Sequence, residues 1–367
     1  MKIVQYLPYS FNIHTWWLEK IAQTISHGLA DLWYEATDIS SDIAKWKVNS
    51  IPSDVKDIYI PSFDIISWFP FPKFWTKTFW SNIYIIKSQK PDIIITHTRF
   101  FLQSMIGWLI AKHIWAKRVH VEHGSGFVTW YPRYIKMPAY IFDWTIWLRI
   151  FRQCDAVITI SHMHSTFIAK FTSKNPIVIY NPIDFIAQPK IKNDIVNIWF
   201  VWRLVDLKWV DILIQALSKI KNKKYTCTIV GTGNRDKYLK NLVIEKELSD
   251  RITFVWADDR ANRLHKFDIF VNPSHQEWLP TTVVEALIAK CIVVATDVWG
   301  TREISDQADL IIVKPGDISD LQKWIELAFD RLDQSGKSYD IVMDKFGPEK
   351  VIKRYDEILK KIIKKHI

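Results

Sequence analysis

The stretch from Asn272 to Glu303, NPSHQEWLPTTVVEALIAKCIVVATDVWGTRE, decides the fold prediction. It predicts the end of a strand, a short loop, a helix, a second buried strand and another loop. Pro280 suits the first turn of that helix, where no amide hydrogen is needed. Seven residues separate Glu277 from Glu285, so Glu277 precedes the helix and Glu285 lies about one turn inside it.

Carboxylates in these two positions can hold hydroxyl groups, and the free amides at the helix start can hold a phosphate. A sugar joined to a nucleoside diphosphate carries both kinds of group. The alternative interpretation is a surface helix with two solvated glutamates.

Length and composition indicate about two domains with large cores, since the chain has 367 residues, of which 49% are hydrophobic and 24% charged. Cys154, Cys227 and Cys291 lie far apart, which predicts a reducing compartment with no disulfide framework. The first ten residues read as a strand rather than a signal peptide, and no apolar run is long enough to predict a transmembrane helix. We therefore expect a cytoplasmic protein, with the inner face of the cell membrane as a second location.

The net charge of +10 predicts attraction to an anionic partner. No nucleic-acid motif with base-reading spacing is evident, so phosphates and an acidic membrane face are favoured over nucleic acid. The alternative is an ordinary solvated basic surface.

The tryptophan and glycine counts are abnormal, at 19 and 10. Average usage predicts about 26 glycines in a chain of this length. Tryptophans also occupy positions that suit glycine: Trp33 follows a predicted helix, where a C-cap glycine is usual, and Trp202 and Trp209 flank a basic loop. One hypothesis is that UGA codons read as glycine in the cell have been translated as tryptophan. The alternative is a genuinely tryptophan-rich protein, with indoles in cores or at an interface.

Short apolar strands alternate with helices along the chain, which predicts parallel, doubly wound sheets. A polar segment, Gln188–Asp194, divides the pattern into domains 1–187 and 188–347. The predicted strands are Lys2–Leu7, Ala36–Ile39, Pro91–His97, Arg118–His123, Asp155–Ser161, Ile177–Tyr180, Val196–Val201, Tyr225–Val230, Ile252–Val255, Asp268–Val271, Ile292–Ala295 and Leu310–Val313.

Two features of the first half allow a functional interpretation. His97 and His123 end predicted strands, where ligands bind in such sheets, although satisfied structural histidines also occur there. The aromatic stretch Phe63–Trp80 resembles a membrane-contact patch if its tryptophans are real, and a loop and helix if several are glycine.

In the second half, Arg203 and Lys208 lie in a loop after the first strand, where they can neutralise a diphosphate or simply be surface charges. Gly231-x-Gly233 follows the next strand and is a weak signal, because a dinucleotide fingerprint needs a third glycine.

Together these motifs resemble the retaining nucleotide-sugar glycosyltransferases of family 4, nearly from end to end. Arg203-Leu204 and Lys208 match the Gly-Arg-Leu…Lys-Gly motif, with Trp202 and Trp209 at both glycines. Glu277 and Glu285 match the Glu-x7-Glu signature, with Trp278 on its glycine. Further matches to the family's motifs are Gly231-x-Gly233, Trp256, Trp299-Gly300, His123-Gly124 and Trp16-Trp17. In the family, the Gly-Gly loop that Trp16-Trp17 matches faces the donor diphosphate. Pro182 departs from the family's Asn-Gly-Ile-Asp motif.

The resemblance implies the GT-B fold, with two Rossmann-like doubly wound parallel-sheet domains facing a central cleft. It also implies roles. Arg203 and Lys208 would stabilise the departing diphosphate. Glu285 would bind ribose hydroxyls and Glu277 the transferred sugar. Amides near Leu279, Pro280 and Thr281 would contact the sugar or phosphate, and His123 the sugar or acceptor.

The expected substrate is a nucleotide sugar and the expected acceptor a lipid-linked or glycan hydroxyl, as in envelope or capsular polysaccharide synthesis, with no cofactor. No Asp-x-Asp triplet occurs in the chain, which predicts metal-independent activity. Alternatives are a nucleotide-sugar 2-epimerase of the same fold, and a non-catalytic nucleotide-binding scaffold if the tryptophans are real. Indoles at positions 202, 209 and 278 are expected to block the donor site.

The last predicted helix, from about Pro348 to His366, is amphipathic. In the glycosyltransferase family that the chain resembles, such a helix packs back on the first domain. Its lysines, Lys360, Lys361, Lys364 and Lys365, could also contact anionic lipid.

Overall fold

The computed structural model describes residues 1–7, 17–42, 54–66, 69–124, 126–127, 133–185, 188–191, 194–201, 203–255, 261–277 and 279–364. The chain divides into two compact units. The first comprises Met1–Pro182 and Pro348–Ile367, and the second Ile183–Gly347.

The first unit is built on an eight-stranded sheet in the order β4-β3-β2-β1-β5-β6-β7-β8. Neighbouring strands are parallel except β3 and β4, which are antiparallel. The strands are β1 (Lys2–Tyr6), β2 (Glu35–Asp42), β3 (Lys56–Ile66), β4 (Phe69–Pro72), β5 (Ile93–His97), β6 (Lys117–Glu122), β7 (Ala156–Thr159) and β8 (Ile177–Val178). The helices between them are α1 (Trp17–Asp31), α2 (Lys77–Ser88), α3 (Leu102–Ile114), α4 (Arg133–Phe142), α5 (Leu148–Gln153) and α6 (His162–Ile168).

The second unit has a six-stranded parallel sheet in the order β11-β10-β9-β12-β13-β14. Its strands are β9 (Val196–Val201), β10 (Tyr225–Val230), β11 (Ile252–Val255), β12 (Ile269–Asn272), β13 (Ile292–Thr296) and β14 (Leu310–Val313). Its helices are α7 (Val210–Lys219), α8 (Asp236–Glu245), α9 (Thr281–Ile288), α10 (Ile318–Phe329) and α11 (Tyr339–Phe346).

Central strands of both sheets are buried on both faces, as β5 and β13 show, because helices cover each side of a parallel sheet. The sequence of β13, IVVAT, is correspondingly a continuous apolar run rather than an alternating one. Each parallel sheet therefore presents the carboxyl ends of its strands along one edge.

The last helix, α12 (Pro348–Lys364), belongs to the first unit. Its apolar residues recur at helical spacing, and they are buried in one core with Ile21 and Ile25 of α1. Tyr34 also donates a 2.6 Å hydrogen bond to Asp356. The buried residues of α12 are Val351, Ile352, Tyr355, Leu359 and Ile362.

Within the stretch Phe63–Trp80, an antiparallel pair, β3 and β4, takes the place of the expected loop, whereas the expected helix is present as α2 from Lys77. The prolines Pro70 and Pro72 lie in β4 at the sheet edge, where fewer amide donors are needed. Trp75 and Trp80 are 70% and 61% exposed. Within the described ranges no helix has both the length and the apolar character needed to cross a bilayer.

Candidate donor site

The candidate site lies in the second unit, where the adjacent strands β10, β9 and β12 end. Arg203 and Lys208 follow β9, the Gly231–Gly233 turn follows β10, and Glu277 follows β12. Because carboxyl ends of parallel strands share one edge of the sheet, three separate sequence motifs converge there.

A buried ion pair forms the centre of the site. Lys208 Nζ lies 2.5 Å from Glu277 Oε1, and both side chains are about nine-tenths buried. Burial lowers the pKa of the Lys208 ammonium, the Glu277 carboxylate opposes that shift, and the charge of Arg203 adds to it. The structure therefore brings together two of the predicted residues and places the charge of a third, exposed Arg203, near them.

Three polar residues that sequence reasoning missed hold the Glu277 carboxylate in place. Ser274 Oγ lies 2.7 Å from Glu277 Oε1 and 2.6 Å from Asn272 Oδ1, and its single proton can serve one acceptor at a time. Thr296, at the end of β13, donates to the Ser274 carbonyl at 2.6 Å. The available signal was the polar segment between β12 and α9, in which Ser274 lies three residues before Glu277.

The glycine turn after β10 packs against the loop that carries Arg203. Leu204 donates its amide to Thr232 O at 2.9 Å, and a Cβ at Gly233 would lie 2.1 Å from Leu204 O. Gly231 has a φ of 147°, a conformation that side chains rarely adopt. Both positions therefore require glycine for structural reasons, and the turn fixes the backbone beside Arg203.

The helix predicted to hold phosphate and ribose is α9, whose first residue is Thr281. Leu279 and Pro280 are buried directly before it, and Val283 donates its amide to Pro280 O at 3.0 Å. Glu285 is half-buried on the same helix. The earlier amides of this first turn point out of the helix start, as helix geometry requires.

Several predicted residues cannot be placed. Trp16, Trp202, Trp256 and Trp278 lie outside the described residues, as does the side chain of Trp17, whose backbone begins α1 in the first unit.

His123 lies in the first unit and is only 1% exposed. Its Nε2 atom is 3.1 Å from Nδ1 of His97, so the ends of β5 and β6 bring the two predicted histidines together. Burial lowers the pKa of His123 to about 3 and that of His97 well below its usual value, so both rings are neutral near pH 7. His164, on α6, also lies 3.1 Å from the His123 carbonyl.

Arg99, which sequence reasoning did not single out, organises the backbone after β6. Its guanidinium is buried, with 3.1 Å to Glu122 and 3.2 Å to Asp143, and it donates to the carbonyls of Gly124 and Gly126. Burial alone would raise the pKa of Glu122, but Arg99, His120 and the Gly124 amide lower it to about 2. All these partners lie more than twenty residues after Arg99 in the sequence, so no local pattern predicts the cluster.

Two family models match the chain in succession. Residues 18–185 match the model described as Glycosyltransferase Family 4, and residues 183–334 match Glycosyl transferases group 1. An uncharacterised glycosyltransferase of Methanocaldococcus jannaschii is 26% identical across 98% of this chain and 97% of its own length. The O-antigen biosynthesis glycosyltransferase WclY of Escherichia coli is 24% identical across 58% of this chain and 63% of its own.

Solved structures share the fold. A glycosyltransferase from Rickettsia africae has a TM-score of 0.74 at 20% identity, with 99% of this chain and 98% of that one covered. Anabaena HepE, solved in complex with UDP and glucose, has a TM-score of 0.71 at 15% identity, with 98% and 100% covered. With its two parallel-sheet α/β units, the chain belongs to the group 1 glycosyltransferases of the GT-B fold.

Proposed function

We propose that this protein transfers a sugar from a nucleoside diphosphate sugar to an acceptor hydroxyl with retention at the anomeric carbon. The bond from the anomeric carbon to the diphosphate breaks, a bond to the acceptor oxygen forms on the same face, and the acceptor proton is released. The observation that carries the proposal is the buried Lys208–Glu277 pair, set at the strand ends beside Arg203 and before α9.

The cationic residues of the site contact the diphosphate, and the carboxylates contact hydroxyl groups. Arg203 and Lys208 stabilise negative charge on the departing diphosphate, which is most effective in a buried setting. Glu277 has its carboxylate oriented by Ser274 and binds hydroxyls of the transferred sugar. Glu285 binds the ribose hydroxyls, and the amides of Leu279 and Thr281, on either side of Pro280, contact sugar or phosphate. Neutral His123 is a candidate contact for sugar or acceptor.

The comparisons support an acceptor in envelope polysaccharide or glycolipid synthesis, because relatives in Escherichia coli are O-antigen biosynthesis glycosyltransferases. HepE of Anabaena has been solved with UDP and with UDP-glucose, so uridine donors come first in a substrate panel.

Peripheral contact with an anionic membrane is part of the proposal. The apolar face of α12 is buried within its own unit, while Lys360, Lys361 and Lys364 remain exposed on the helix. With a net charge of +10, such a lysine face can attract anionic headgroups without insertion.

The test of the proposed function is a panel of sugar nucleotides, with and without lipid-linked acceptors. It uses the glycine form, which we define as the chain carrying Trp202→Gly, Trp209→Gly and Trp278→Gly. We expect acceptor-dependent transfer and a product with the donor's anomeric configuration by NMR, and unchanged activity in a chelator. Epimerised donor without acceptor would instead indicate a 2-epimerase, and loss of activity in chelator would contradict metal independence.

Replacing Glu277 by glutamine in the glycine form should lower kcat/KM about ten- to a hundredfold, because hydrogen bonds to charged groups contribute about 1.5–3 kcal/mol. The alkaline limb of the pH profile should also move to lower pH. Glu277 holds the pKa of Lys208 up against burial, so its loss lets Lys208 lose its proton at lower pH.

The matched control is Glu245→Gln on the exposed face of α8, which should leave both kcat/KM and the alkaline limb unchanged. An alkaline limb that stays in place in the Glu277 variant would show that Lys208 does not act through its protonated form.

A further inference from the structure

Tryptophan is concentrated where the backbone is left-handed. Among the described residues, eight that are not glycine have positive φ, and four of these are tryptophan: Trp33, Trp115, Trp209 and Trp299, with φ of 66°, 61°, 46° and 38°. Only a few per cent of residues other than glycine adopt such angles, and bulky side chains do so least. Here the same backbone is found in four of the twelve tryptophans whose conformation is described.

Two of these tryptophans end helices in a motif whose left-handed residue is usually glycine. After α1, Tyr34 donates its amide to Leu29 O at 3.2 Å, and after α3, Ala116 donates to Ala111 O at 3.0 Å. This six-to-one bond is the Schellman motif, with Trp33 and Trp115 in the left-handed position. Both residues are 92% exposed, so burial of the indole does not offset the backbone strain.

Trp209 is left-handed in a different setting, in the candidate donor site, where it lies between Lys208 and the first residue of α7. Its indole lies against the His275 ring, 4.6 Å between centroids, and a Cβ at Gly316 would meet it at 3.2 Å. A glycine at position 209 would relieve the strain and open the start of α7 beside Lys208 to a phosphate. This last step rests on the proposed function, whereas the backbone argument does not.

We infer that positions 33, 115, 209 and 299 carry glycine in the protein as its own cell makes it, because UGA codons read there as glycine have been rendered as tryptophan. The composition points the same way, with 19 tryptophans and only 10 glycines in 367 residues. Trp80 and Trp324 differ from the four. They lie inside α2 and α10, and their indoles donate hydrogen bonds to Phe74 O and Asp320 Oδ1.

Peptide mass spectrometry on protein from its native cells tests the inference. We expect UGA codons and glycine at positions 33, 115, 209 and 299, with tryptophan at UGG codons elsewhere in the same digest as the control; UGG codons at the four positions would overturn the inference. Tryptophan at the UGA positions would overturn the inference. The measurement is independent of activity: glycine there, together with a glycine form that binds no nucleotide, would refute the proposed function alone.

Single substitutions in the recombinant tryptophan-containing chain provide a second test. Trp33→Gly and Trp115→Gly should each lower the unfolding equilibrium constant about fivefold, since a left-handed L-residue is strained by about 1 kcal/mol. The matched control is Trp80→Gly, which removes a helical residue with ordinary backbone and should raise that constant. Destabilisation at positions 33 and 115 comparable to that at position 80 would contradict the assignment.

Discussion

Replacing Lys208 by methionine in the glycine form should lower kcat about 10²- to 10³-fold, the loss seen when one preorganised electrostatic group is removed from a transition state. Lys208 is buried, so its charge is poorly screened by water and acts strongly on a neighbouring diphosphate. Methionine retains most of the side-chain length and packing. The measurement is kcat for the donor identified in the panel.

The matched control is Lys219→Met at the other end of α7, an exposed lysine that donates a hydrogen bond to Ser319 Oγ at 3.5 Å. It should leave kcat within about twofold, as surface changes away from a site usually do. Thermal unfolding of both variants separates loss of catalysis from loss of fold. A Lys208 variant that is folded and retains full turnover would contradict the role given to this residue.

Replacing Arg99 by methionine should lower the free energy of unfolding of the first unit by about 3–5 kcal/mol, because it leaves buried carboxylates without their counterion. Glu122 and Asp143 would lose their ion pairs, and the carbonyls of Gly124 and Gly126 would lose a donor. Denaturant unfolding monitored by circular dichroism measures the change.

The pH dependence of this loss has a definite sign. With Arg99 present, the pKa of Glu122 is about 2, so its contribution to stability is complete above its unfolded pKa and is lost progressively as the pH falls from there through about 2. Without Arg99, burial raises that pKa, and the destabilisation should be larger at pH 8 than at pH 5. Arg152→Met, an exposed change on α5, is the control, and equal losses in the two variants would contradict the account.

Strand positions were largely predictable, because central strands of parallel sheets are continuous apolar runs. Val196–Val201, Tyr225–Val230 and Leu310–Val313 were predicted with the bounds that the structure shows. The antiparallel β3–β4 pair was not predicted, since its prolines and aromatic residues suggest a loop as readily as an edge strand. Trp33 was recognised as a glycine-like helix end, and its left-handed backbone confirms that interpretation.

The sequence predicts those site residues that directly follow strand ends. It does not predict those whose role depends on contacts between segments distant in the chain. Lys208 and Glu277 are far apart in the chain, yet parallel topology predicts that both lie at one edge, and they form an ion pair there. Ser274 contacts Glu277 locally, but a serine in a polar loop gives no sequence signal for that bond. Thr296 was missed because its hydrogen bond to the Ser274 carbonyl joins the ends of neighbouring strands. Arg99 was missed for the same reason, as its partners come from β6 and the helical segment around Asp143.

The central claim is that the second unit binds the diphosphate of a nucleotide sugar through Lys208 and its neighbours. Calorimetric titration of the glycine form with UDP, and with other nucleoside diphosphates in parallel, tests it most directly. We expect saturable one-to-one binding that weakens at least tenfold in Lys208→Met and in the chain with tryptophan at positions 202, 209 and 278. Absence of binding by any nucleoside diphosphate, or equal affinity in all three proteins, would contradict the account.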